Sequence, residues 1–379
     1  MTGRKIFSAE HEMFRETARR FFETEVVPDL DSWEENGRPP RDFWNRAGEH
    51  GLLGPTVPEE FGGPGGDYLY SAIIDEELAR AGAASAAGLS VHNDIVIPYL
   101  MSFGSQELKE KWLPKMVTGE AVGAMGMTEP DGGSDLKAVR TTARRDGDEW
   151  VINGRKTFIS NAASADIILV AARTNEASGA KGLSLIVVEA DRDGYSLGRL
   201  LKKAGLKGGD TGEMFFDNVR VPVANLVGEE GQGFAYMMEK LATERLGIAV
   251  MAVAHAEAAL GWTIEYVKDR KAFGKTLFEL QNTRFKLAEL KADVTLGRLM
   301  VDKCLELHVE NNLDISTAAM AKFWCSDMQF RVMDECVQLH GGYGYMWEYP
   351  ITRAWADSRV QRVYGGANEI MKELVARSL

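Results

Sequence analysis

From Phe234 to Val267 the chain runs without a proline, and Met237, Leu241, Ile248 and Met251 fall on one stripe of a helix. Glu244 sits in the middle of that stripe, between Leu241 and Ile248, where a helix facing an apolar partner would carry leucine or methionine. A carboxylate is therefore aimed inward. The plain alternative is a solvated pair with Lys240, four residues earlier.

From Ser8 to about Gly119 the pattern is helical, with Ser8 and Ser105 placed as N-caps and Gly51 and Gly104 as stops. Its interior stretch, Tyr68 to Met101, is rich in Ala, Ile and Leu and nearly uncharged from Ala81 to Gly88, which predicts helices covered on several sides. The period changes between about Glu120 and Gly228. Val151 to Arg155 reads as a turn-punctuated strand, Ile167–Ala172 and Leu183–Val188 as short β-branched runs, and Met214–Pro222 as a strand ended by its proline. Long helices return after Gly233, over Phe234–Val267, Leu280–Glu310 and Ser316–Leu339, joined by short loops. The expected fold class is α+β. An N-terminal all-helical domain covers residues 1–119, a β-sandwich or barrel domain 120–230, and a C-terminal four-helix-type bundle 231–379.

Composition narrows the function classes. With 379 residues, 45% hydrophobic and 26% charged, the chain has ample material for a core. No run of eighteen apolar residues appears, and no apolar segment follows the basic residues of Met1 to Ser8, so neither a membrane span nor a signal peptide is expected and a cytoplasmic location is the default. The formal charge of −12 argues against non-specific nucleic-acid or membrane binding, while leaving room for a local basic pocket. Cys304, Cys325 and Cys336 form an odd set without CxxC spacing and read as packed, reduced thiols. No metal site is expected, since the histidines are scattered and His11-Glu12 lacks the second His of a zincin helix. Phe273–Thr276 ends like a P-loop, but Asp269 stands where its first glycine belongs. Neither G-x-G-x-x-G nor G-x-S-x-G occurs.

Four stretches carry more. Met125-Gly-Met-Thr-Glu-Pro-Asp-Gly-Gly-Ser134 places Gly132 and Gly133, which let backbone N–H groups approach a ligand, beside the hydroxyls of Thr128 and Ser134. Lys156-Thr-Phe-Ile-Ser-Asn161 reads by itself as a half-buried strand. Asp269-Arg-Lys-Ala-Phe-Gly-Lys275, with Gln281, offers Arg270, whose planar fork can bind two phosphate oxygens. Gln338-Leu-His-Gly-Gly-Tyr-Gly344 carries Gly341 and Gly342, which alone would be a helix C-cap. With these stretches in this order, and over essentially its whole length, the chain resembles the acyl-CoA dehydrogenase family.

That resemblance implies FAD as cofactor and an acyl-CoA thioester as substrate. It implies that Met125, Met127, Thr128, Gly133 and Ser134 form a flavin loop, Ser134 also touching substrate. Phe158, Ile159 and Ser160 are implied to lie along the isoalloxazine, Phe158 and Ser160 standing where many relatives carry Trp and Thr. Arg270, Phe273, Leu277, Leu280 and Gln281 are implied to reach the pyrophosphate and adenosine of a flavin held mainly by a neighbouring subunit. Gln338, Gly341 and Gly342 join them there. A homo-oligomer, built as a dimer of dimers, is therefore expected. An electron-transferring flavoprotein is the implied electron acceptor.

The implied reaction is α,β-dehydrogenation to the trans-2-enoyl thioester, in which a carboxylate removes the α-proton while the β-hydrogen leaves as hydride to flavin N5. An exposed glutamate titrates near 4.3, so the base has to be desolvated. Many members carry it near the C-terminus in a Tyr-Glu-Gly-Thr segment, but the matching residues here are Tyr364-Gly-Gly-Ala, and Gly365 leaves that position without a carboxylate. A smaller set, including the long-chain and isovaleryl enzymes, places the base on the long bundle helix before an Arg-Leu pair. Ala242-Thr-Glu-Arg-Leu-Gly247 fits that alternative. Glu244 is then the base, and Gly365 serves through its backbone N–H.

Arg245 is carried over as a substrate-site residue, with an ion pair as its plain alternative. Ala367, which replaces a common threonine, and Glu369 are carried over as flavin contacts. Met346–Pro350 and Tyr364–Leu374 look most like the long-chain group, so a straight, medium to long acyl chain is expected. A short branched chain of the isovaleryl type is the alternative. An oxidase on the same fold and a non-catalytic acyl-CoA-binding subunit are the rival readings, and Glu244 together with Arg270 argues against the second.

Overall fold

The computed structural model describes residues 4–175 and 179–379; Met1 to Gly3, the start of the stretch read above for a leader, lie outside them. Both expected N-caps form. The Ser8 and Ser105 hydroxyls accept from the His11 and Leu108 N–H groups and open the helices Ala9–Phe21 and Gln106–Thr118. Gly104 closes the helix Ile97–Phe103, and Gly51, at φ 70°, follows the helix Asp42–Glu49. The interior stretch holds two helical segments. The first, Tyr68–Arg80, ends at Gly82 (φ 71°). After a buried loop the second is π-wound over Val91–Val96 before it tightens into Ile97–Phe103.

The helix Tyr68–Arg80 is fastened by charge. The fully buried Glu76 carboxylate accepts from Arg4, Arg15 and Arg298, which ties the N-terminal segment and the helix Gln281–Val309 to it. Breaking such a buried network from one side leaves uncompensated charge, so the three arginines hold this helix in place.

Among the described residues the middle domain has eight strands: β1 (Gly123–Gly126), β2 (Thr142–Asp146), β3 (Glu149–Ser160), β4 (Ile167–Arg173), β5 (Leu183–Glu189), β6 (Tyr195–Leu200), β7 (Thr211–Pro222) and β8 (Leu226–Val227). They run in the order β6-β7-β3-β2-β4-β5-β8, with β1 parallel to β4. The halves meet through one pair, Thr142 with Arg173, and close over a common core that includes Trp150, Ile152, Val170, Ile186 and Phe216. Asn153-Gly154 is not a turn. Here β3 continues with a shift of register against β7, and the position needs glycine, because a Cβ on Gly154 (φ 155°) would meet Thr141 Oγ1 at 2.4 Å. The hairpin turn falls earlier, at Gly147 (φ 62°).

Helices return with Gly233–Asp269, 37 residues long, followed by Gln281–Val309, Ile315–His340, Pro350–Ser358 and Asn368–Ala376. The long helix packs on Ile315–His340, Gln281–Val309 and Tyr68–Arg80. It is long and apolar enough by composition to cross a membrane, yet 72% of its most apolar window is buried, as in the core helix of a bundle. Cys304, Cys325 and Cys336 are free and buried.

Candidate active site

Glu244 is 9% exposed, and Tyr99 Oη, from the helix Ile97–Phe103, donates to its Oε1 at 3.1 Å. Lys240 does not pair with it: its Nζ lies 3.5 Å from Glu239 and over the Phe103 ring at 5.1 Å. Burial pushes the Glu244 carboxyl up to about 7, against the pull of the Tyr99 hydroxyl and the Arg245 charge. A carboxylate that titrates there is poised to take or release a proton near neutrality.

One turn on, Ile248 packs against the loop that precedes Asn368–Ala376. A Cβ on Gly365 (φ 62°) would lie 2.3 Å from Ile248 Cδ1. Two cations hold the loop's carbonyls. Arg245 Nε donates to Gly365 O at 3.4 Å, and the fully buried Lys322 donates to Gly366 O at 2.7 Å and to Asn368 Oδ1 at 3.0 Å. Among the described residues no acceptor faces the Gly365 N–H, and no carboxylate lies within ion-pair distance of Arg245. Ala367 begins the helix Asn368–Ala376, with Glu369 exposed in its first turn. Glu244, Arg245, Gly365 and Ala367 are thus drawn together. Tyr99 and Lys322 join them without a motif to mark either. Lys322 does carry part of the signal that marks Glu244, a charged residue one turn from the apolar Ala318 and Cys325, whereas Tyr99 carries none.

The first two glycine- and hydroxyl-bearing stretches form one unit. The fully buried Lys156 donates to Glu129 Oε1 at 2.8 Å, to Met127 O at 3.1 Å and to Ala171 O at 2.7 Å, while the Thr157 N–H donates to Thr128 O at 3.0 Å. The loop from Met125 is therefore fixed on β3. Beyond Lys156 the register against β7 slips again, and Phe158 takes φ 58°. That conformation costs a non-glycine residue about 1–3 kcal/mol. Its outcome is a ring 68% exposed between the buried Thr157 and Ile159. Ser160 is half-buried, Ser134 is exposed, and a Cβ on Gly133 would meet nothing within 4 Å. Asn161 Nδ2 bonds Gly88 O and Gly123 O, and Met125 shares a buried cluster with Met237, which joins this unit to the early turns of the long helix. An aromatic face, open glycine backbone and nearby hydroxyls fit the flat ring of FAD.

The remaining candidates lie elsewhere. Arg270 ends the long helix 26 residues after Glu244, roughly 39 Å away at 1.5 Å per residue. Its guanidinium sits over the Tyr343 ring at 5.6 Å, and Tyr266 Oη donates to His340 O at 3.2 Å, so the two segments are fastened together. Phe273 is 92% exposed at φ 54°. Gln281 and Gln338 are exposed, and Leu277 and Leu280 are half-buried. Gly341 is the C-cap expected of an isolated glycine, and a Cβ on it or on Gly342 would meet nothing within 4 Å. Within one chain, these residues and Glu244 cannot serve the same end of a ligand.

Three family models match in sequence: "Acyl-CoA dehydrogenase, N-terminal domain" over residues 8–120, "Acyl-CoA dehydrogenase, middle domain" over 124–219 and "Acyl-CoA dehydrogenase, C-terminal domain" over 231–379. The chain is 49% identical, over 99% of its length and 88% of the relative's, to the mitochondrial long-chain specific acyl-CoA dehydrogenase of Mus musculus. It is 37% identical to an acyl-CoA dehydrogenase of Bacillus subtilis, over 98% of both. The crystal structure of an acyl-CoA dehydrogenase from Geobacillus kaustophilus superposes with a TM-score of 0.97 at 47% identity, covering 99% of each chain.

Proposed function

The chain belongs to the acyl-CoA dehydrogenase family of FAD-dependent oxidoreductases, and from that membership we propose that Glu244 is the base that removes the α-proton of the acyl-CoA. One observation supports this above the others: a buried carboxyl, raised to about 7, stands beside a loop whose Gly365 N–H has no partner among the described residues. FAD, when bound, supplies the two-electron acceptor for the β-hydrogen. The chain's own residues do the rest. Tyr99 holds the Glu244 carboxylate by one oxygen and leaves the other for the proton. The Gly365 N–H donates to the thioester oxygen, where charge grows as the proton leaves. Arg245 and Lys322 fix the adjoining carbonyls beforehand, so the donor needs no rearrangement.

Anaerobic flavin reduction by an acyl-CoA tests the reading through its pH dependence. The base works ionised, so the rate should rise through about pH 7, following the raised Glu244 carboxyl. Tyr99→Phe removes a hydrogen bond that favours the ionised form. The midpoint should then move upward, with the rate falling severalfold at neutral pH and recovering in more alkaline solution. A rate indifferent to pH across neutrality counts against Glu244.

We also infer a dimer of dimers whose smallest active unit is a dimer. The roughly 39 Å between Glu244 and Arg270 supports it, since the two ends of one long ligand reach both sets of residues only if two chains contribute. Arg270→Ala should weaken FAD retention about ten- to hundredfold, the range of a lost charge-assisted hydrogen bond, without unfolding the chain. Flavin absorbance per chain after gel filtration reads this out, and a flavin-loaded, active monomer by light scattering would end the idea. The kinship with long-chain enzymes supports a straight, medium to long acyl chain, with an electron-transferring flavoprotein as acceptor.

A further inference from the structure

One turn beyond Glu244, the face of the long helix that carries the base meets polar groups. Gly247 has no side chain, and a Cβ there would lie 3.3 Å from Asp75 Oδ2 and 3.4 Å from Tyr68 Oη. Asp75, 1% exposed, accepts from Ser90 Oγ at 2.5 Å. Asp94, 7% exposed, lies beside Asp75 and faces the Ser71 hydroxyl, in the π-wound stretch Val91–Val96. Such wide turns gather at functional sites. Tyr68 Oη is buried and has no hydrogen-bond partner among the described residues. No lysine or arginine pairs with either carboxyl among those residues, and burial drives both upward towards the neutral acid, Asp94 opposing the charge on Asp75 as well.

An apolar tail packed here would leave the Tyr68 hydroxyl without a partner and Asp75 with the Ser90 hydroxyl alone, at a cost in desolvation. We propose that Tyr68, Asp75, Ser90 and Asp94 form a subsite of the acyl pocket that takes a hydroxyl carried on the acyl chain, beside Gly247. This rests on Glu244 being the base, because that fixes where the chain starts. Gly247 follows Glu244 by three residues, roughly 4.5 Å along the axis, or about three or four carbon–carbon bonds beyond the reacting pair. A hydroxyl suits the site because it accepts from Tyr68 Oη or a protonated carboxyl and donates to a carboxyl oxygen at once. A second carboxylate on the chain would meet two acids and no cation. Kinship with long-chain enzymes speaks to the length of the chain, and this cluster speaks to what the chain bears.

The test is calorimetric binding to the FAD-loaded enzyme of two analogues that a sulfur at position 3 protects from oxidation, 3-thiaoctanoyl-CoA and 6-hydroxy-3-thiaoctanoyl-CoA. The hydroxylated analogue should bind about tenfold tighter or more, since a site built to hydrogen-bond a hydroxyl discriminates strongly against its absence. That advantage should vanish in Asp94→Leu and shrink in Tyr68→Phe, which removes one oxygen and keeps the ring should the first variant not fold. Equal binding of the two analogues, or an advantage unchanged in Tyr68→Phe, overturns the subsite. Flavin reduction by octanoyl-CoA keeps the two readings apart. Reduction without any hydroxyl preference leaves the base standing and sinks the subsite, whereas no reduction by either octanoyl-CoA or 6-hydroxyoctanoyl-CoA sinks the base and with it the placement of the subsite.

Discussion

Glu244→Gln should keep flavin and acyl-CoA binding, lose flavin reduction by about a thousandfold or more, and melt at a higher temperature than the parent above neutral pH. Glutamine preserves the shape of the side chain and can still accept from Tyr99 Oη. It cannot accept the proton. The gain in stability follows from the same burial. In the folded chain the Glu244 carboxyl titrates at about 7, against roughly 4.3 for an exposed glutamate in the unfolded chain. Between those values the native state holds a proton that the unfolded state has released, so stability falls as pH rises through the window, and the whole cost is present above pH 7. The shift corresponds to roughly 4 kcal/mol, at about 1.4 kcal/mol per pKa unit. The glutamine variant does not carry that penalty, so the parent and variant melting curves should converge in acid and separate in alkali. Near-parent reduction rates in stopped flow would remove Glu244 from the mechanism, and parallel melting curves at every pH would show that its carboxyl is not held protonated.

Glu244 was legible because a lone charge interrupting an apolar stripe is visible in one dimension, and the caps at Ser8 and Ser105 are equally local. Other features depend on residues far apart in sequence. Tyr99 reaches Glu244 across 145 positions. Asp75, Glu76 and Glu77 are three acids in a row, yet all three are buried, since Arg4, Arg15 and Arg298 converge on Glu76 from distant elements and Asp75 turns the other way, towards Ser90. Asn153-Gly154 has the composition of a hairpin turn, but pairing with β7 carries the strand straight through it and leaves only a bulge. The same pairing throws Phe158 outward at φ 58°, a consequence of register that no propensity scale contains. The distance between Glu244 and Arg270, by contrast, follows from counting residues along one uninterrupted helix.

Moving the base from helix to loop, by Glu244→Gly with Gly365→Glu, should recover flavin reduction only to about one percent of the parent rate, and adding Ile248→Val should raise that about tenfold. The new glutamate keeps the N–H at position 365, so the oxyanion donor survives. Its backbone does not suit it. At φ 62° a residue with a Cβ carries strain of about 1–2 kcal/mol, and the Arg245 and Lys322 hydrogen bonds to Gly365 O and Gly366 O keep the loop from relaxing. Glycine at position 244 costs the helix about 1 kcal/mol more. These losses sum to about 2–3 kcal/mol, up to two factors of ten in rate if they fall on the reactive conformation. The steric part is separable. The atom nearest a Cβ at position 365 is Ile248 Cδ1, at 2.3 Å, and valine lacks that atom while keeping the rest of the side chain. Stopped-flow reduction of the double and triple variants decides the matter. A triple variant no faster than the double would show that Ile248 does not stand in the way. A double variant as fast as the parent would show that the loop is not held in the conformation on which the Gly365 donor depends.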